Sequence, residues 1–323
     1  KVLAHGRITW LAGSVAGLDC TAQRVQLDDG TSLSYDLLSI NTGPVQDRAR
    51  LEQSLPGVSE HGLFVRPLES FVALWPRVLA LAQTRDLRIA VVGAGAAGVE
   101  LAMAIRQRLP GAALSLLSGG AGVVANHSSA VQSRVLRALK QRGINVLHDT
   151  VLGLDGQHIR LACGARLACD LPLIATGAQA PAWLHHSGLT LDTAGFIAVD
   201  AHHRSTSHAQ VFAAGDVSSR IDHAVPHSGV YAVRSGAVLA ANLSAALHGG
   251  APSAHHPASR SLNLISCGDG QAIASWGAYA AQGRWLGWLK ERIDRAYVRR
   301  YMATPSATSS TPRAVPSLPT PVP

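Results

Sequence analysis

The stretch LRIAVVGAGAAGVELAMAIRQRLPG, Leu87–Gly111, decides the fold. It opens with a short apolar run that is typical of a buried strand, and it continues as a helix that stops at Pro110-Gly111. Between them, Gly93, Gly95 and Gly98 form G-x-G-x-x-G. This is the dinucleotide-binding pattern in the strand–turn–helix context that it requires.

Each glycine of this pattern has a physical role. Gly93 permits the tight turn, Gly95 lets the backbone approach a pyrophosphate, and Gly98 lets the helix pack close to the strand. The helix start offers unpaired N–H groups and a positive dipole end to the phosphates. The candidate binding residues here are Gly93, Ala94, Gly95, Ala97 and Gly98. A glycine-rich helix start without a ligand is the alternative.

An internal repeat surrounds this motif. VQLDDGTSLSYDLLSINTG (Val25–Gly43) aligns without a gap with IRLACGARLACDLPLIATG (Ile159–Gly177). Each copy indicates a strand, a glycine turn, a second strand and a buried strand that ends in Thr-Gly. The repeat predicts two copies of one domain plan. If the copies are equivalent, the first copy should have its own G-x-G-x-x-G pattern, the fingerprint of the fold, and its position falls before Lys1. We therefore expect the first nucleotide fold to lack its opening strand, glycine turn and helix.

Composition narrows the class of partner. The 323 residues carry a net charge of +8, with 47% apolar and 15% charged residues. No basic run is dense enough for nucleic acid, so anionic cofactors or an acidic membrane surface are the expected partners. The four cysteines, Cys20, Cys163, Cys169 and Cys267, form no C-x-x-C or C-x4-C pair. They favour a reducing, cytoplasmic location without disulfides.

Two further landmarks follow the second copy. A predicted strand over Gln210–Ala214 ends in Gly215-Asp216, which is a usual place for a ligand-facing carboxylate in an α/β sheet. A predicted helix runs from about His227 to Leu247 and is closed by Gly249-Gly250. Its start would face the same ligand.

With these motifs in order, the chain resembles the pyridine nucleotide–disulfide oxidoreductase superfamily of flavoproteins with two dinucleotide-binding domains. The likeness covers Val2 to about Met302. Its details resemble type II NADH dehydrogenase-like proteins, and most of all the flavoprotein domain fused ahead of selenide, water dikinase. The segments that carry it are SINTG (Ser39–Gly43), GAGAAGVELA (Gly93–Ala102), FAAGD (Phe212–Asp216), SGVYAVRSG (Ser228–Gly236) and GRWLGWLKERIDRAYVRRYM (Gly283–Met302).

The resemblance implies FAD and NAD(P)H as cofactors. Asp216 would bind the FAD ribityl chain, and the helix from Ser228 would direct its dipole at the flavin N1 edge. Glu100 would be the catalytic residue near the nicotinamide and flavin. The remaining cofactor-binding candidates are Ser118, Thr176, Gly177, Thr42, Gly43, Gly215, Ser228 and Gly229.

The expected fold is α/β, with two Rossmann-like three-layer domains and a small C-terminal α+β piece. Residues 1–66 and 179–250 form the FAD domain, which is split around the NAD(P) domain at 67–178. Residues 251–302 hold a strand hairpin and an amphipathic helix. Residues 303–323 are rich in Pro, Ser and Thr and are expected to be a disordered tail.

The expected activity passes hydride from NAD(P)H through the flavin to a small-molecule acceptor, with a quinone favoured. A selenium- or sulfur-linked role beside a fused or associated dikinase is an alternative, as is a non-catalytic cofactor-binding module. Trp, Tyr, Arg and Lys in 284–302 suit a helix at the inner, anionic membrane face. Packing on the protein body or a homodimer contact stays open.

Two departures from the family concern chemistry. None of the four cysteines flanks a fingerprint, so no redox pair is expected among them. No acidic residue occurs from Leu101 to His148, whereas Arg134, Arg137, Lys140 and Arg142 do. The carboxylate that usually excludes a 2′-phosphate is therefore missing there, and NADPH is expected to be tolerated.

Histidine pairs occur at His185-His186, His202-His203 and His255-His256. No H-E-x-x-H or C-x2-C companion accompanies them, so no metal site is expected. We interpret them as solvated loop residues. His223 and His227, which flank Pro226, are either loop residues or donors to the flavin or a quinone.

Overall fold

The computed structural model describes residues 8–176 and 179–301. The chain divides into a larger unit, Ala12–Lys290, and a smaller one that comprises Lys1–Leu11 and Glu291–Pro323. The described part of the smaller unit includes the helical residues from Glu291 to Tyr301. All sheets and clefts discussed below lie in the larger unit.

The larger unit opens with an antiparallel sheet of three short strands. The first elements are β1 (Val15–Asp19), β2 (Arg24–Leu27), β3 (Ser32–Ser34), β4 (Leu38–Ile40), α1 (Arg48–Ser54) and α2 (Val58–His61). Strands β1, β2 and β3 pair in that order, whereas β4 leaves the sheet and runs to Thr42-Gly43.

A five-stranded parallel sheet follows. Its elements, with the helices between them, are β5 (Leu63–Phe64), α3 (Leu68–Ala82), β6 (Arg88–Val92), α4 (Ala96–Arg108), β7 (Ala113–Leu117), α5 (Ser129–Gln141), β8 (Asn145–Leu147) and β12 (Leu171–Ile174). The strand order is β5-β12-β6-β7-β8. Met103 of α4 and Val135 of α5 are fully buried in the core on one face. Leu51 and Val58 belong to a second core cluster, which includes Ala90 and Val92 of β6. The sheet is thus covered on both sides, as parallel sheets are.

The predicted repeat is confirmed at the level of strand register. The second antiparallel sheet consists of β9 (Val151–Asp155), β10 (His158–Leu161) and β11 (Arg166–Ala168). Val25 pairs with Leu33 in the first copy, and the aligned Ile159 pairs with Leu167 in the second. The turn glycines Gly30 and Gly164 have φ of 86° and 88°. Two distant segments therefore fold to one plan.

The chain returns to its early strand β4 after the five-stranded sheet. Its later elements are β13 (Ile197–Val199), β14 (Val211–Ala213), β15 (Ser218–Arg220) and α6 (Gly229–His248). Strand β14 pairs in parallel with β4, with Leu38 opposite Val211 and Ile40 opposite Ala213. The chain therefore returns to its early strand only after the five-stranded domain is complete.

By length and composition, helix α6 is long and apolar enough to cross a bilayer. Of its most apolar 18-residue stretch, 17% is buried inside the protein. It packs on β14 through Leu239, which contacts the buried ring of Phe212. Gly249 ends the helix in the left-handed conformation, with φ of 70°. One helix of this length and composition is weak evidence for a membrane span.

The C-terminal piece differs from the predicted hairpin by one strand. Strands β16 (Asn263–Ser266), β17 (Ala272–Trp276) and β18 (Tyr279–Gly283) form an antiparallel sheet, and α7 (Arg284–Tyr301) follows. Ile265 and Ile273 join the core beneath α4. The piece therefore shares its hydrophobic core with the five-stranded domain.

The interpretation of all the paired histidines as solvated is wrong for two of them. His203 and His255 are 3% and 8% exposed, and His203 Nε2 lies 2.9 Å from His255 Nδ1. Burial lowers the pKa of His203 to about 4, and the neighbouring His255 and Arg220 add to this shift. The pair is a buried contact between segments that are far apart in sequence.

Candidate functional site

The carboxyl ends of β6, β7, β8 and β12 meet at one edge of the parallel sheet, where ligands bind in open α/β sheets. Gly93 follows β6 with φ of 112°, and a β-carbon there would lie 2.5 Å from the carbonyl oxygen of Ala175. At Gly98, a β-carbon would lie 1.9 Å from the Gly93 oxygen. Both glycines are therefore required by backbone packing.

Gly95 differs from these two glycines because it faces open space. It is the N-cap of α4, its φ is −65°, and a β-carbon there would meet nothing within 4 Å. No side chain caps the helix. The first N–H groups of α4 are thus left for an anion, which is the arrangement that holds a pyrophosphate.

A cleft of about 280 Å³, which we call the fingerprint cleft, lies beside the glycine turn that follows β6. Three predicted residues line it together: Gly93, Ser118 and Thr176. The Thr176 Oγ1 atom is buried and has no hydrogen-bond partner within the protein. Buried polar groups are normally hydrogen-bonded, so this hydroxyl is available to a ligand. The Ser118 hydroxyl lies 2.9 Å from His148 Nδ1. Open backbone, an unpartnered hydroxyl and a helix start together fit a dinucleotide.

The cleft also contains residues that the sequence did not indicate. Leu51, Ser54 and Leu55 of α1 form one wall, and Asp149 enters from the loop after β8. The Asp149 carboxylate accepts backbone N–H groups from Thr150 at 2.7 Å and from Cys163 at 3.2 Å. Hydrogen bonds from Cys163, above all, hold the pKa of Asp149 below its usual range.

A larger cavity of about 800 Å³ lies on the other side of β12. Thr42 lines it from the first Thr-Gly, Ala175 from the end of β12, and Ala97 from α4. Phe71 and Leu101 supply apolar surface. Parts of both repeats and of the fingerprint helix therefore border one space.

Gln46, which the sequence analysis missed, ties this space together. Its buried side chain donates to the Ile174 carbonyl at 2.8 Å and accepts the Arg66 N–H at 2.9 Å. Beside it, Val45 and Gln179 exchange backbone hydrogen bonds of 2.8 and 2.9 Å. These two residues occupy equivalent positions in the repeats, so the segments after the two Thr-Gly motifs meet each other directly.

The Gly-Asp motif follows β14, as predicted, and it borders a cavity that residues at the start of α6 also line. Gly215 has φ of 73°, and a β-carbon there would meet Asn41 Oδ1 at 2.7 Å. Asp216 and Gly215 line a small cavity of about 30 Å³ with His227 and Tyr231. Gly43 has a left-handed φ of 69°.

Ser228 is the N-cap of α6, and its hydroxyl is buried without a partner. Gly229, the first residue of the helix, has open space around its β-carbon position. A free helix start with an unsatisfied hydroxyl, close in sequence to Asp216, fits one end of a flavin cofactor.

Glu100 is not among the described residues that line these three spaces. Its Oε1 accepts the Ser266 N–H at 2.7 Å, which joins α4 to β16. Ala94 is buried, and its carbonyl accepts the Val124 N–H at 2.8 Å. Gly177 lies outside the described residues. The catalytic role of Glu100 stays a prediction.

The described residues contain no group of three or more His, Cys, Asp or Glu side chains that could hold a metal. The four cysteines are free, and none lines the two larger clefts. Burial raises the pKa values of Cys169 and Cys267 to about 11, so these two thiols are unreactive.

The family model for the pyridine nucleotide-disulphide oxidoreductases matches residues 1–236 of the chain. The chain belongs to this family. An NADH dehydrogenase-like protein of Mycobacterium tuberculosis is 27% identical over 236 residues, 68% of this chain and 57% of that protein. The ferredoxin reductase component of a chlorobenzene dioxygenase from Cupriavidus sp. is 30% identical over 224 residues, 67% of this chain and 51% of that protein.

The sulfide:quinone oxidoreductase of Aquifex aeolicus has a similar fold, with a TM-score of 0.73 and 13% identity over 93% of this chain and 76% of that one. These findings confirm the predicted superfamily, the α/β fold with Rossmann-like cores, and FAD and NAD(P)H as the cofactors of this oxidoreductase family. The chain spans about half the length of the curated relatives it matches. The likeness to the dikinase-fused domain stays a prediction.

Proposed function

We propose that this pyridine nucleotide-disulphide oxidoreductase transfers hydride from NAD(P)H through FAD to a further acceptor. The observation that carries the proposal is the junction of the two repeats. Neighbouring residues at the end of β12 border the two spaces, with Thr176 in the fingerprint cleft and Ala175 in the cavity that Thr42 lines, and Val45 pairs with Gln179 beside them. Two cofactors held by these segments would meet at the 800 Å³ cavity.

The flavin, when bound, supplies the redox centre that takes two electrons and a proton as hydride and passes the electrons on. The protein contributes to the hydride transfer by positioning the two cofactors. The free N–H groups at the start of α4 would hold phosphate oxygens of the nucleotide, and Thr176 would offer its unpartnered hydroxyl beside them. Asp216 and the start of α6 would hold the flavin. Gln46 keeps the two Thr-Gly segments in register.

The direct test is anaerobic reduction of the protein reconstituted with excess FAD. We expect NADH to bleach the 450 nm flavin band and a short-chain quinone to restore it. Separate titration of free and bound FAD by ultrafiltration shows whether the cofactor is held. Retained FAD that NADH fails to reduce would contradict the proposed activity, and full reoxidation by ferredoxin but not by quinone would contradict the proposed acceptor.

A quinone is the proposed acceptor because of helix α7. Trp285 and Trp288 are 62% and 61% exposed, next to Arg284 and Lys290. Exposed indole rings beside cations suit the interface of an anionic membrane, where a lipid-soluble quinone would be at hand. Leu286, which is 2% exposed, anchors the start of the helix instead of the tryptophans. Contact with the cytoplasmic membrane face, a homodimer, and an acceptor in selenium or sulfur metabolism beside a dikinase are further proposals.

Vesicle binding tests the membrane contact. We expect the protein to cosediment with vesicles that contain 30% anionic lipid, in low salt, and to stay in the supernatant with neutral vesicles. Trp285→Ala should weaken cosedimentation several-fold because it removes a large exposed apolar surface. Recovery in the supernatant with both vesicle types would contradict the membrane contact, and equal pelleting with both would contradict the role of anionic lipid.

A further inference from the structure

The fingerprint cleft has an uneven charge. Among the described residues that line it, Asp149 is the one with a formal charge, and no lysine or arginine accompanies it. Of the basic residues downstream of the fingerprint, Arg134 donates to the Ala280 carbonyl and Arg142 donates to Asp269 at 2.6 Å. These cations are engaged with the C-terminal sheet, and they do not line the cleft.

The end of β7, where an acidic residue usually binds the adenosine ribose, carries Ser118. Its neutral hydroxyl is already hydrogen-bonded to His148. Asp149 reaches the same cleft from the neighbouring strand end, because β8 pairs in parallel with β7. A carboxylate is therefore present in the cleft, although it comes one strand later than usual.

The carboxylate of Asp149 is held in place. Oδ1 accepts from Thr150 and Oδ2 accepts from Cys163, which ties the loop after β8 to the turn of the second antiparallel sheet. The Cys163 side chain also hydrogen-bonds this carboxylate. An ionised carboxylate has about four lone-pair sites, so it can still accept a ribose hydroxyl. A fixed carboxylate attracts a ribose hydroxyl and repels a phosphate dianion.

We propose that Asp149 determines nucleotide choice in this cleft and selects the free 2′-hydroxyl of NADH over the 2′-phosphate of NADPH. This inference rests on the proposed function, because it takes the fingerprint cleft as the nicotinamide nucleotide site. It is the opposite of the expected NADPH tolerance, which rests on the absence of acidic residues from Leu101 to His148.

Direct binding of the two reduced nucleotides tests the assignment without any turnover. Dissociation constants for NADH and NADPH are measured by nucleotide fluorescence on wild type, Asp149→Asn and Asp192→Asn. Asp192 is a matched control, since its carboxylate also accepts backbone N–H groups, from Ala194 and Phe196, but lies outside the cleft lining. We expect wild type to bind NADH at least tenfold more tightly than NADPH. Asp149→Asn should reduce that ratio at least fivefold, whereas Asp192→Asn should leave it unchanged.

A second measurement uses wild type alone, in case Asp149→Asn folds poorly. Salt screens the repulsion between a carboxylate and a phosphate. The dissociation constant for NADPH divided by that for NADH should therefore decrease as NaCl is raised from 20 to 500 mM. Equal affinities in wild type, or an unchanged ratio in a folded Asp149→Asn, would overturn the assignment while leaving the proposed function intact. Binding of neither nucleotide would overturn both.

Discussion

Gly95→Val is expected to weaken NADH binding about a hundredfold without loss of the fold. A β-carbon at Gly95 meets nothing within 4 Å, and its φ of −65° suits any residue. The valine would project into the space before the free N–H groups of α4. A phosphate displaced from one or two charge-assisted hydrogen bonds, each about 1.5–3 kcal/mol, loses roughly two orders of magnitude in affinity.

The measurements are the NADH dissociation constant by fluorescence and the urea midpoint by circular dichroism. Gly236→Val is a matched control, because Gly236 also has open space around its β-carbon position but lies in α6. Gly98→Val should behave differently, with loss of both binding and fold, since its β-carbon would overlap the Gly93 oxygen. Unaltered NADH affinity in Gly95→Val would remove the fingerprint from the site.

Phe212→Ala is expected to lower the free energy of unfolding by about 3–5 kcal/mol. Phe212 is 1% exposed and is the largest fully buried side chain among the described residues. Its ring packs with Leu239 between β14 and α6, and the Arg204 guanidinium lies 5.5 Å from the ring centroid. Truncation would leave a cavity directly before the Gly215-Asp216 turn.

Phe212→Leu is the control, because it keeps most of the apolar volume and should cost under about 1.5 kcal/mol. Urea unfolding followed by far-UV circular dichroism compares the two variants with wild type. An Ala variant as stable as the Leu variant would show that α6 does not depend on this contact.

The elements with strong local signals were predictable from sequence. The strand predicted over Gln210–Ala214 is β14, Val211–Ala213, and α6 begins two residues after the predicted start at about His227. The register of the two repeats was also predictable, because aligned glycines and apolar positions fix both the turn and the face of each strand. The sequence was sufficient to predict an element wherever the residues of that segment determine its conformation.

The missed features all depend on residues that are distant in sequence. His255 is buried because it meets His203, 52 positions earlier, and a loop composition gives no sign of this. Strand β16 is four residues long, and its partner among the described strands is β17. Asp149 acquires its place in the cleft from the parallel pairing of β7 and β8. Such contacts follow from the assembled sheet, so a local pattern does not reveal them.

The pairing of β4 with β14 has a consequence during protein synthesis. Leu38 leaves the ribosome long before Val211, its parallel partner. At about 5–20 residues per second, β4 waits roughly nine to thirty-five seconds for its β14 partner. During that interval the inserted five-stranded domain can complete itself. The edge of β4 that later pairs with β14 stays open in this interval. We expect ribosome-associated chaperones to bind the nascent chain there.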